Sequence, residues 1–230
     1  AVAEDRCLKA LGIQQIPLLI LSHFHADHVA GLPGAIKNRV VGQVWVSVNS
    51  APLVESAMAH SALEGVEIIK AVRGMSSRVG KLTIRVLWPT LSATSFEEMP
   101  GEGSQVNNSS IATLITSDSF SIFAGGDLEP PVQQILIKDV APVDIYKVCH
   151  HGSRYQDLAF MAALHPRISI ISVGVGNTYG HPAVQTLDAL TRLGSEVLRT
   201  DIDGAIAVQV RNHQFTIRKA KGRFNLIRWG

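Results

Sequence analysis

The stretch Ile16-Pro17-Leu18-Leu19-Ile20-Leu21-Ser22-His23-Phe24-His25-Ala26-Asp27-His28 decides how this chain reads. Its first six residues are a continuous apolar run of strand length, the pattern of a strand covered on both faces in a layered α/β protein. The run delivers the chain to four metal-ligating groups, His23, His25, Asp27 and His28. With 9 His and 10 Asp in 230 residues, chance produces this H-x-H-x-D-H spacing in roughly 6 of 10,000 such chains. In an extended segment side chains alternate, so His23 and His25 share one side while Phe24 and Ala26 face apolar packing. One ion can take both imidazoles. Asp27 and His28 point elsewhere as the chain turns toward Gly31, which suits a second ion nearby. Carboxyl ends of strands are also where α/β sheets place their sites. The bland alternative is a polar loop of hydrogen-bonded histidines.

Working outward, Val2 to Leu11 reads as a short amphipathic helix stopped by Gly12. Strands are expected at Val44–Val48, Val66–Val72, Leu82–Leu87, Ile111–Thr116, Ser121–Ala124, Asp144–Val148 and Ile168–Val173. Helices are expected at Pro52–Leu63, Pro130–Lys138 and Pro182–Leu193, each with proline in or near the first turn, and Gly65 and Gly194 end two of them. The last forty residues read as antiparallel, with Asp203-Gly204 as a turn. Pro89 to Val106 reads as a long loop. The order implies two packed sheets with helices outside. No linker divides residues 1–230, which read as one domain.

Three further signals lie at element ends. Gly125-Gly126-Asp127 follows an apolar strand, so Asp127 either bridges two ions or caps the helix after it. Cys149-His150-His151-Gly152-Ser153 also follows a strand, and Gly180-His181-Pro182 opens a helix. Beside the first cluster, His181 becomes a candidate last ligand and His150 or His151 a candidate proton donor. Ser153, Arg154 and Lys147 are candidates for phosphate contact.

Composition bounds the rest. Hydrophobic residues make up 46% and charged residues 17%, which excludes disorder and low-complexity classes. Cys7 and Cys149 have no C-x-x-C spacing, so neither a disulfide framework nor a thiolate zinc site is implied. No apolar run approaches the roughly 20 residues that cross a bilayer, and no signal peptide opens the chain. Ala1 in place of Met is the pattern of a processed or excised fragment. Arg211 to Gly230 carries six basic residues and no acid, so the other 210 residues net 15 − 19 = −4. Such a tail either sits on phosphates or is a solvated terminus.

The set H-F-H-A-D-H, G-G-D-L-E, C-H-H-G-S and G-N-T-Y-G-H-P resembles the metallo-β-lactamase fold, and within it the carboxy-terminal domain of ComEC competence proteins. The resemblance runs from Asp5 to Ala205. It implies an α/β (α+β) four-layer αββα sandwich, here short of the strands that normally open the fold. It implies two divalent metal ions, with His23 and His25 on the first, Asp27, His28 and His181 on the second, and Asp127 between them. His150 and His151 match a substrate-side or proton-donating position, so Asp27, Asp127, His150 and His151 are the catalytic candidates. The superfamily has a histidine where this chain reads Asn107-Asn108, so the first ion is less firmly held and these asparagines become candidates to bind substrate, with Ser153 and Arg154. ComEC proteins are membrane channels that import DNA, and the resemblance implies a nuclease that degrades the strand not taken up. It implies further a membrane channel in the same larger protein, DNA as partner, the outer face of the cell membrane as location, and no organic cofactor. A nitrogen and oxygen donor set suits Zn²⁺ or Mn²⁺. Two other readings stay open: a stand-alone hydrolase of a phosphoester, thioester or lactam, and a non-catalytic DNA-binding module, against which the presence of both His23 and His25 argues.

Overall fold

The computed structural model describes residues 1–91, 99 and 103–220. In chain order the elements are α1 (Val2–Ala10), β1 (Gln15–Leu21), α2 (Ala26–Val29), α3 (Leu32–Ile36), β2 (Val40–Val46), α4 (Leu53–Ala62), β3 (Glu67–Lys70), β4 (Ser76–Val79) and β5 (Leu82–Trp88). Then come α5 (Ser104–Asn107), β6 (Ala112–Thr116), β7 (Ser121–Ala124), α6 (Pro130–Leu136), β8 (Ile145–Lys147), α7 (Leu158–Leu164) and β9 (Ile168–Ile171). The chain continues through α8 (Val184–Arg192), β10 (Glu196–Arg199), α9 (Thr200–Asp203), β11 (Ile206–Arg211) and β12 (Gln214–Lys219).

The strands form a three-stranded parallel sheet β1-β2-β3, a seven-stranded mixed sheet β10-β9-β8-β7-β6-β5-β4, and the hairpin β11-β12. In the large sheet β4 to β7 are antiparallel and β7 to β10 parallel. Period-two alternation sorts the side chains into layers. From β1, Leu18 and Ile20 meet Ile84 and Val86 of the large sheet, while Leu19 and Leu21 meet Val29, Leu32, Ala59 and Leu63 on α2 to α4. On the large sheet, Phe123 and Tyr146 face outward onto α6, α7 and α8 through Val132, Leu136, Phe160, Leu164 and Leu190. On its inner side Ile145, Ile168 and Leu198 pack against Phe215 and Ile217 of the hairpin. Helices, sheet, sheet and helices are thus stacked in four layers, the hairpin continuing the layer of the small sheet.

The apolar run of β1 is packed on both sides, as its composition requires, although β1 is an edge strand among the described residues. Corrections fall where local pattern was silent. The antiparallel reading of the last forty residues holds for β11 and β12, but β10 lies parallel to β9. Asp203-Gly204 is the end of α9, not a hairpin turn. One turn of helix, α5, stands inside the expected loop Pro89–Val106, most of whose centre lies outside the described residues. Strand β4 and helix α7 went unread; α7 is apolar on nearly every side and has no helical period, and its start is set by Asp157, whose carboxylate accepts from Phe160 N–H at 2.8 Å. Lys221, Arg223 and Arg228 of the basic tail lie outside the described residues.

Candidate metal centre

After β1 the chain runs through Ser22 to His25 outside any helix or strand, then enters α2. Phe24 is wholly buried against the helices, and this anchors the two histidines on the opposite side. His23 Nε2 lies 3.2 Å from His25 Nδ1. Helix α2 brings Asp27 and His28 onto the same centre, with His28 Nε2 3.7 Å from Asp27 Oδ2.

Asp127 arrives from the large sheet, three residues past the end of β7. Gly126 takes φ of 57°, and a Cβ there would stand 2.7 Å from Ser110 Oγ and 2.9 Å from the Ser22 Cβ. Glycine is therefore required for the approach. Ser110 Oγ accepts from Asp127 N–H at 3.0 Å and lies 3.1 Å from His23 Nδ1; a hydroxyl has two acceptor sites and can serve both. His150 and His151 follow β8 in a tight turn with φ of 47° and 51°, a conformation disfavoured for side-chain-bearing residues. The turn is tied to the glycine loop by His150 N–H donating to Gly126 O at 3.1 Å.

Asp27, His28, Asp127 and His151 each offer a donor atom, all within 4.8 Å of one another. His28 Nε2 is 3.0 Å from Asp127 Oδ2 and 3.1 Å from His151 Nε2. His151 Nε2 is 3.1 Å from Asp27 Oδ2 and 3.4 Å from Asp127 Oδ2. The outer nitrogens are held from behind: His151 Nδ1 donates to the Ser172 carbonyl at 2.7 Å, and His28 Nδ1 lies 3.4 Å from Ser22 Oγ. This leaves the inner Nε2 of a neutral His151 with its lone pair toward the centre, the arrangement that orients metal-binding imidazoles.

Electrostatics agree with a cation site. Burial lowers His23 to about 3, so its imidazole is neutral. The hydrogen bond from His151 brings Asp27 down to about 2. Burial acts to raise Asp127, but the bonds from His151 and His28 outweigh it and hold the carboxyl well below its usual range. Burial likewise acts against a charged His151, yet Asp127 and Asp27 raise it to about 10. Two carboxylates thus need one positive charge between them. Buried Asp127 Oδ1 has no hydrogen-bond partner, and two imidazole nitrogens confront each other at 3.1 Å; a divalent cation fits this donor set and satisfies both.

The remaining candidates divide. His181 does not join the converging group; it lies on the cleft wall, its ring centroid 5.3 Å from that of His150. Its loop turns on itself through Asn177 Oδ1, which accepts from His181 N–H at 3.3 Å. The converging group among the described residues includes His151 and not His181. His150 Nε2 lies 4.0 Å from Asp127 Oδ2, and its Nδ1 lies 3.4 Å from Glu129 Oε1. Asn107 and Asn108 are buried and donate to Glu129 at 3.0 and 3.4 Å, while Asn108 Oδ1 accepts from Glu129 N–H at 2.9 Å. Asn108 is therefore closed to a substrate and helps hold Glu129. Ser153 is also buried, its Oγ accepting from Tyr155 N–H at 3.1 Å. Arg154 is exposed on the cleft. The Nζ of Lys147 bonds the Val148 carbonyl at 3.4 Å, and burial lowers its pKa. Glu129 escaped the sequence reading although it stands in G-G-D-L-E, two residues past Asp127; its only signal was an acid beside that aspartate.

Residues 2–160 match the model of the metallo-beta-lactamase superfamily, and the chain belongs to that superfamily. More particularly, it is 33% identical over 211 residues to ComE operon protein 3 of Bacillus subtilis (strain 168), covering 89% of this chain and 26% of that protein. It is 24% identical over 208 residues to competence protein ComA of Neisseria gonorrhoeae, covering 86% of this chain and 26% of that one. The chain therefore spans about a quarter of the length of these two relatives. Among solved structures, CmlA, a diiron beta-hydroxylase from Streptomyces venezuelae, shares the fold with a TM-score of 0.51 and 15% identity over 81% of this chain and 44% of that one. The fold hosts more than one chemistry, so function is argued from the site. Among the described residues no helix is long and apolar enough to cross a membrane.

Proposed function

We propose that this chain is a metal-dependent phosphodiesterase that degrades DNA, the nuclease part of a DNA-uptake protein. The observation that carries the reading is the convergence of Asp27, His28, Asp127 and His151 beside His23 and His25, on an open cleft of about 1760 Å³. Pockets for small molecules measure roughly 300–1,000 Å³, so the space suits a polymer better than a lactam or thioester. The relative named a competence protein favours DNA as that polymer. A membrane channel in the same larger protein, and a place at the cell membrane, follow from the sequence resemblance.

His23, His25, Asp27, His28, Asp127 and His151 would hold two divalent ions of the Zn²⁺ or Mn²⁺ kind, with His151 in the role first given to His181. When bound, such ions supply Lewis acidity and an activated water. Asp127, gripped by Ser110 and the glycine turn, fixes the geometry of the centre. Asp27, with its side chain 63% exposed, faces the cleft and accepts a hydrogen bond from the attacking water. As the water oxygen bonds to phosphorus and releases a proton past Asp27 to solvent, the bridging P–O bond breaks and His150 gives the Nε2 proton to the leaving alkoxide. Glu129 behind Nδ1 keeps that ring in place. Arg154 lies on the cleft to meet a neighbouring phosphate.

The test is cleavage of end-labelled single-stranded and duplex DNA with added Mn²⁺ or Zn²⁺ by the wild type and by Asp127→Ala. Cleavage by the wild type alone supports the reading. A folded, metal-loaded protein inert on every form of DNA overturns it.

A further inference from the structure

Tyr179 is the most exposed of the large apolar and aromatic side chains among the described residues, at 82%, yet it lines the cleft of the metal centre. Its position is built. Asn177 Oδ1 accepts from Tyr179 N–H at 2.9 Å and from His181 N–H at 3.3 Å, so a side-chain-closed turn presents the ring. The Tyr179 ring is tilted only 23° from that of His181, with centroids 6.3 Å apart, and His181 in turn meets His150. A row of rings thus leads from the rim to the side chain beside Asp127. Arg154 borders the same cleft, its guanidinium 5.4 Å from the centre of the Tyr155 ring. An aromatic face presented on a cleft wall and left to water is a surface on which a planar ligand can stack, and a neighbouring arginine supplies the charge a phosphate needs.

We infer that Tyr179 is the base-stacking residue of this site: it receives an unpaired base of single-stranded nucleic acid while Arg154 meets the backbone. The inference rests on the phosphodiesterase reading for its choice of ligand. In a duplex each base is already stacked on its neighbours, so Tyr179 gains nothing there and favours single strands and frayed ends. Any base has a flat face, so the contact selects for strandedness and not for sequence.

The experiment compares two short fluorescent oligonucleotides with hydrolysis-resistant phosphorothioate backbones, one of thymidines and one of abasic units. Their affinities for the metal-loaded chain are read by anisotropy. The wild type is expected to prefer the thymidine strand. In Tyr179→Ala that preference falls by about tenfold, so the ratio of the two affinities approaches one, and Tyr179→Phe restores it. Tyr179 is too exposed for either change to unsettle the fold, and a melting curve checks this. An unchanged ratio in Tyr179→Ala overturns the inference, as does equal loss on both strands or a failure of Tyr179→Phe to rescue. Cleavage of the ordinary phosphodiester strand is scored separately: tyrosine-dependent stacking without cleavage upholds the inference and removes the nuclease reading.

Discussion

His23 and Asp127 sit just beyond the ends of β1 and β7, at 0% and 3% exposure, and the Ser110 hydroxyl ties the His23 ring to the Asp127 backbone. Asp27, Arg154, Tyr179 and His181 stand on loops or a single helical turn at the cleft surface. The first set is the floor of the site and the second its mouth. Floor residues have no freedom to lose on binding a cation, so their side chains are already paid for by folding. Mouth residues keep their freedom and can follow a substrate. Removing a floor residue should therefore abolish function, and removing one at the mouth should tune it.

Asp127→Ala should lower both metal affinity and DNA cleavage by more than about 100-fold, beyond what removal of an outer-shell partner costs. Metal content and calorimetric titration read the first, gel assay the second. Asp27→Ala, at the mouth, should retain more of the bound metal. Equal metal loss in the two variants would break the distinction between floor and mouth.

Glu129 tests how deep the floor extends. Its carboxylate is gripped by Asn107 and Asn108 and faces His150. Glu129→Gln keeps the shape and removes the charge, and kcat should fall about tenfold with KM unchanged, the usual size of an outer-shell effect. A change confined to melting temperature would make Glu129 a structural residue only.

Acidity gives a third handle on the floor. In the metal-free protein the pKa of His151 is raised from 6.5 to about 10. A raised folded pKa stabilises fully below the unfolded value, and the stabilisation is lost as pH rises from 6.5 toward about 10. A cation needs the same Nε2 free and displaces that proton, so metal affinity should climb about tenfold per pH unit between roughly pH 7 and 9. Calorimetry in buffers of different ionisation heat should count about one proton released at pH 8 as the ion that takes His151 binds. Binding without proton release would show that His151 is not a ligand.

The residues at the strand ends were the part legible in sequence, and for a physical reason. A buried strand writes itself as an apolar run, and a ligand at its end follows immediately, so Leu21 to His28 and Phe123 to Asp127 declare both the strand and the residues beyond it. Gly125-Gly126 is legible too, as a glycine pair that lets backbone approach closely, although that Ser110 is its neighbour is not. What escaped depends on contacts between distant segments. That His151 joins the converging group depends in part on the Ser172 carbonyl, which holds its outer nitrogen, and nothing near His151 in sequence announces that bond. Asn107 and Asn108 look like polar loop residues until Glu129 is seen between them. Helix α7 hides for another reason: Leu158 to Leu164 is apolar at every position, the exposed Leu158, Ala159 and Ala162 included, so no polar stripe gives it a period, whereas α8 has polar residues on its exposed face.

The smallest effect belongs to Arg154, and it sharpens the contrast from the side of the mouth. Its guanidinium is exposed, holds no residue of the floor, and rests only near the Tyr155 ring. Arg154→Ala should leave metal content and melting temperature unchanged and weaken binding of a DNA strand only a few-fold. The informative quantity is the salt dependence. A side chain that neutralises one phosphate releases close to one counterion, so the slope of log affinity against log salt should become shallower by about 1. The loss should be uniform across sequences, because a phosphate contact reads no base. An unchanged slope would place the backbone elsewhere in the cleft and leave the mouth to Tyr179 alone.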